Sequence, residues 1–116
     1  LFLAQEGKAG YLEINLAPSG AQWSQSFSGP RQVGPGGPDC FAIGGATNSA
    51  QIWDDRWSLH FELPLREPLR EAILLNVTAI INHAADLQYL SWLNLHAVKP
   101  DFHRPHEFLP IVLKKY

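Results

Sequence analysis

One pattern governs what this chain can fold into: short runs in which apolar and polar residues alternate, separated by turn-forming residues. Trp57 to Leu63 is the cleanest case, with Trp57, Leu59, Phe61 and Leu63 apolar and Ser58, His60 and Glu62 polar. A period of two places successive side chains on opposite faces of a pleated strand, so one face should be buried and the other wet. Tyr11 to Leu16 alternates in the same way. Leu12, Ile14 and Leu16 are expected to face a core, and Tyr11, Glu13 and Asn15 to face water. Pro18-Ser19-Gly20 closes that strand as a turn. In the next strand, Trp23 to Phe27, residues Trp23, Gln25 and Phe27 share one face and the serines the other. No comparable run repeats at helical spacing.

Further along, residues 29–48 hold six of the nine glycines and three of the nine prolines. Such a segment cannot be an interior strand or a helix, and it reads as a long surface loop. Ala50 to Asp54 is a short strand, Asp54-Asp55-Arg56 a turn, and Pro64 to Ala72 at most one helical turn. Ile73 to Asn82 is rich in β-branched residues with apolar positions on both faces, as expected of a central strand. A turn over His83 to Asp86 leads to a hairpin partner over Leu87 to Leu95, then an irregular segment, then Ile111-Val112-Leu113 as a closing strand. About eight short strands and no long amphipathic helix predict an all-β fold, an antiparallel sandwich or barrel.

Length and charge narrow the function classes. The chain has 116 residues, enough for a single domain spanning residues 1–116 that needs no disulfide or metal to hold it together. Its formal net charge is −2 with the Lys and Arg residues scattered, which argues against a nucleic-acid partner. Its one cysteine, Cys40, allows no intramolecular disulfide and no multi-cysteine metal site. The most apolar stretch, Ala72 to Ile81, is too short to span a membrane. Because residue 1 is Leu inside an apolar run, further sequence is expected upstream.

Catalytic motifs are absent. There is no G-x-S-x-G elbow and no H-E-x-x-H pair, and Gly34-Pro35-Gly36-Gly37 lacks the Lys and helix of a phosphate cradle. Nothing near Cys40 in sequence would activate it as a nucleophile. Glu13 and Glu62 could serve as a glycosidase pair only if the fold set them about 5 to 9 Å apart. His103 and His106 flank Pro105, with Asp101 and His96 close by, and are expected to buttress a loop rather than hold a metal. No cofactor is expected. The sequon Asn76-Val77-Thr78 falls in the most apolar strand and is read as chance. Four tryptophans are the more informative group. Trp57 belongs on its strand's buried face, whereas Trp53 and Trp92 are candidate platforms. A flat aromatic ring suits the C–H face of a sugar, and planar Asn, Gln, Glu and Arg side chains suit its hydroxyls.

Two stretches carry a family likeness. Tyr11-Leu12-Glu13-Ile14-Asn15-Leu16-Ala17-Pro18-Ser19-Gly20, followed by Trp23 and Phe27, resembles the Y-x-E-x-N-x-x-P-x-G strand and turn of DOMON-like domains, which are related to family 9 carbohydrate-binding modules. Lys99 to Phe108 resembles that family's P-D-F-H-x-P-x-x-F ending, and Tyr89 to Leu93 its preceding strand. The resemblance implies an antiparallel β-sandwich of jelly-roll or immunoglobulin-like kind, lacking its first strands here, with a sheet edge to be covered by an upstream segment or neighbouring domain. It implies a non-catalytic binding domain with a saccharide ligand. The expected ligand-binding residues are Glu13, Asn15, Arg31, Trp53 and Trp92. After Phe27 the chain departs from the family pattern, with Pro30-Arg31 in place of an aromatic-Arg pair. The alternatives are an interaction domain without a small ligand, and a haem-binding domain using His96, His103 or His106.

Overall fold

The computed structural model describes residues 1–66, 72–83 and 86–111. The chain is all-β and antiparallel, as its alternation predicts. Ten strands are described: β1 Phe2–Gln5, β2 Tyr11–Leu16, β3 Gln22–Gly29, β4 Gln32–Val33, β5 Thr47–Ile52, β6 Trp57–Glu62, β7 Ile73–Asn76, β8 Thr78–His83, β9 Asp86–Ser91 and β10 Leu109–Ile111. Six form one sheet in the order β10-β7-β1-β2-β3-β4, and the others form two hairpins, β5-β6 and β8-β9. Strand β1 is interior, paired with β2 on one side and β7 on the other. Among the described residues no helix is long and apolar enough to cross a membrane.

The large sheet is apolar on both faces. On one face Leu3, Leu12, Ile14 and Ile73 pack with Phe41, against which Ile43, Phe61 and Leu63 are laid. On the other, Phe2, Ala4, Tyr11 and Phe27 pack with Leu93 and Phe108, flanked by Leu95 and Phe102. The second core overturns the expectation that Tyr11 faces water. Its side chain is fully buried and its ring stacks on Phe27, at 4.8 Å between centroids and 7° between planes. Period two says which residues share a face, and it cannot say that a segment some ninety residues later will cover the polar-looking one.

Other expectations change for local reasons. Trp57 is not core but 48% exposed. It pairs with Ile52 at the turn end of its hairpin, and only the opposite end, through Phe61 and Leu63, reaches the sheet. The run from Ile73 to Asn82 is two strands rather than one, because the chain leaves the large sheet at Val77 and β8 pairs with β9 instead. Asn76, the last residue of β7, is buried, and its Oδ1 accepts a hydrogen bond from Ser91 Oγ at 3.0 Å.

The glycine-rich segment is not purely a surface loop. It contributes β4 and the start of β5, and it buries Gly37, Pro38 and Phe41. Two of its glycines are sites of close backbone approach: a Cβ on Gly36 would lie 1.8 Å from the Phe27 carbonyl oxygen, and one on Gly37 2.8 Å from the Leu12 nitrogen. The helical turn suggested within Pro64 to Ala72, the tip of the His83 to Asp86 turn, and the end of the closing strand at Val112-Leu113 lie outside the described residues.

Candidate functional site

Strand register assembles the site. Directly opposed residues of an antiparallel pair share a face. In the β2-β3 pair, Tyr11 opposes Phe27, Glu13 opposes Gln25 and Asn15 opposes Trp23. This row runs from the buried core at Tyr11 and Phe27 outward to Asn15 and Trp23, both exposed to solvent. Trp23 is 50% exposed.

The C-terminal segment closes the inner end of the row. His103 Nδ1 lies 2.7 Å from Tyr11 Oη. The Arg31 backbone N–H donates to the same oxygen at 3.2 Å. Tyr11 Oη thus joins the β3-β4 turn to the C-terminal segment, and the His103 ring has its other nitrogen, Nε2, free of this contact. That nitrogen faces Glu13 Oε2 at 3.9 Å, and Asn15 Nδ2 donates to Glu13 Oε1 at 3.0 Å. The Glu13 side chain is 12% exposed and that of His103 23%. The His103 ring also stands edge-on to Phe2 and Phe27, with centroids 5.5 and 5.3 Å away. Burial and the negative charges of Glu13 and Asp101 together raise the Tyr11 hydroxyl above the ordinary tyrosine value, against the Arg31 N–H, which lowers it.

Arg31 joins the cluster through its side chain as well. Its guanidinium meets Asp101 Oδ1 at 2.9 Å, and the His103 backbone N–H donates to that oxygen at 3.0 Å. Burial alone would push the Asp101 carboxyl up, but the His103 N–H and the Arg31 guanidinium outweigh it and hold the group below its usual range. Arg31 sits in the turn between β3 and β4 with φ at 60°, in the left-handed region that favours glycine. A second carboxylate steadies the covering segment. Glu107 accepts from the His96 backbone N–H at 2.9 Å and pairs with Arg104. The His96 N–H first, and Arg104 next, lower the Glu107 carboxyl below its ordinary value.

Three of the five site residues expected from sequence, Glu13, Asn15 and Arg31, therefore meet in one cluster. Trp53 and Trp92 lie elsewhere. Trp53 is at the β5-β6 turn, where the Arg56 guanidinium lies 4.9 Å from its ring centroid and covers part of the platform. Trp92 is 59% exposed just beyond β9, with its backbone N–H on the Val77 carbonyl. Trp23, Gln25, Asp101 and His103 complete the cluster and were not singled out as ligand-binding from sequence. The signal for Trp23 is present in the alternation, since it shares a strand face with Gln25, which opposes Glu13.

Glu62 is on β6, whose Phe61 packs against the opposite face of the large sheet from Glu13, so these carboxylates do not form a pair. Of the three candidate haem histidines, His103 is engaged by Tyr11 and the other two turn to Glu107. Among the described residues, no three His, Cys, Asp or Glu side chains are grouped to hold a metal ion. A recess of about 100 Å³ lies between Ile14, Gln22, Trp23, Ser24, Ile43 and Phe61, well below the roughly 300 Å³ or more usual for a small-molecule site. No protein-family model matches the chain, and no curated protein or solved structure matches it.

Proposed function

We propose that this chain is a non-catalytic binding domain that takes a saccharide on the open surface formed by Trp23, Asn15, Glu13, Gln25 and Arg31. The observation that carries this reading is the β2-β3 register, which sets a half-exposed indole directly beside an amide and one residue pair away from a carboxylate and a second amide. An indole face offers dispersion to the C–H face of a pyranose, and the planar groups offer paired hydrogen bonds to adjacent hydroxyls. The floor under these groups is fixed by the Tyr11, His103 and Asp101 hydrogen bonds, which lowers the ordering cost of binding. The likeness of Tyr11 to Gly20 and of Lys99 to Phe108 to DOMON-like domains supports the same ligand class.

Titration with a panel of oligosaccharides, followed by tryptophan fluorescence, tests the reading. A saturable shift should appear for at least one glycan, fall at least about tenfold in affinity in Trp23→Ala, and persist in Trp92→Ala. Absence of any shift across the panel with the fold intact would remove the saccharide reading. A second reading, an interaction domain without small ligand, draws on a different observation, the apolar exposure of the β8-β9 hairpin.

A further inference from the structure

The β8-β9 hairpin exposes Ile80, Leu87, Tyr89, Leu90 and, just beyond it, Trp92. Among the described residues its two strands pair only with each other. Two-stranded sheets are marginal in water, and open edges are normally guarded by Lys, Pro or a bulge. Strand β9, Asp86-Leu87-Gln88-Tyr89-Leu90-Ser91, has none of these guards.

We propose that β9 is a self-association edge, at which a second copy of this chain adds its own β9 antiparallel to form a four-stranded sheet across a two-fold axis. The hydrogen-bond parity sets the register. Trp92 N–H reaches the Val77 carbonyl at 2.8 Å, so the even-numbered residues of β9 turn their backbone groups toward β8. Leu87, Tyr89 and Ser91 therefore present theirs outward. A two-fold axis perpendicular to the sheet keeps each face on its own side, so opposed residues must have the same parity. Placing the axis at Gln88 sets Leu87 against the partner copy's Tyr89, twice, with four backbone hydrogen bonds. Aliphatic and aromatic residues make favourable cross-strand neighbours. The only charge on the strand, Asp86, falls opposite Leu90 of the other copy. The two Asp86 carboxylates are then about 14 Å apart along the strands, beyond the screening length at physiological salt. A net charge of −2 per chain adds little repulsion. One added strand pair is a smaller contact than a standard interface, so the association is weak.

Sedimentation velocity from about 5 µM to 1 mM reads it directly, and the average mass should climb from one chain toward two across that span. Gln88→Cys puts a thiol on the axis, where non-hydrogen-bonded partners come close enough for a disulfide, and mild oxidation should trap a covalent dimer. Gln51→Cys on β5 should not. Leu87→Lys, opposite an apolar ring, should weaken association at least tenfold. Leu90→Lys, opposite Asp86, should associate severalfold more tightly than Leu87→Lys. Both side chains are half exposed, so both variants should fold. A single-chain mass throughout the range would overturn the proposal, as would equal cross-linking of the two cysteine variants or equal effects of the two lysines.

Discussion

Removing one oxygen from Tyr11 isolates the contribution of the polar cluster to the fold. Tyr11→Phe keeps the ring on Phe27 and its edge contact to Phe108, at 6.2 Å between centroids. It deletes the acceptor of the Arg31 N–H and the hydroxyl partner of His103 Nδ1. Each bond contributes about 1 kcal/mol net, and both orphaned partners are part-buried, so the loss should be about 2 kcal/mol. In urea that is a midpoint lower by about 1 M at unchanged slope. A double-mutant cycle with His103→Phe should show about 1 kcal/mol of coupling. The hydroxyl also sets an alkaline signature. Its folded value is raised above the ordinary 10.0, so its contribution is complete below pH 10 and is lost as pH rises through the folded value. The wild-type chain should lose stability in that window and the Phe variant should lose less. A Phe variant within about 0.3 kcal/mol of wild type, with the same alkaline limb, would refute the reasoning, since differences that small are usual for surface substitutions.

Three further perturbations have defined outcomes. Gly36→Ala should cost about 3 kcal/mol by thermal or chemical unfolding, because its methyl group would collide with the Phe27 carbonyl and the backbones must part. Arg31→Ala and Arg31→Gly both lose the Asp101 contact, but the glycine variant should be about 1 kcal/mol the more stable, since only it is at ease at positive φ. Toward acid, Asp101 and Glu107 have folded values below their ordinary 3.8 and 4.5. Their stabilisation is present above those values and is lost as pH falls through the lower, folded ones. The acid limb of a stability-pH profile should therefore steepen below about pH 4 and flatten in Asp101→Asn.

The sequence was most readable where a pattern is local. Alternation in Leu12, Ile14 and Leu16 named a true core face, and the terminal Phe61 and Leu63 of the β6 pattern do reach the sheet. Alternation misplaced Trp57 because hairpin length, not periodicity, decides which end of a strand is covered. The break at Val77 was invisible, since an apolar run looks the same whether it continues in one sheet or passes to another. The cluster was half legible. Glu13 and Asn15 are neighbours in one strand, and family likeness drew attention to both the Tyr11 and the His103 stretches. Their meeting across 92 residues of sequence is a tertiary fact that spacing cannot disclose. Residue type alone marks Trp53 and Trp92 as platforms, and they sit apart because nothing in residue identity fixes which sheet carries them.

The most direct test of the binding surface is nitrogen-proton chemical-shift mapping of the labelled protein during addition of a neutral oligosaccharide. The Trp23 indole N–H and the Asn15 and Gln25 side-chain amides should move together along one saturation curve, with the Trp53 indole unmoved. Perturbation confined to Trp53 or Trp92, or none at saturating glycan, would contradict the account.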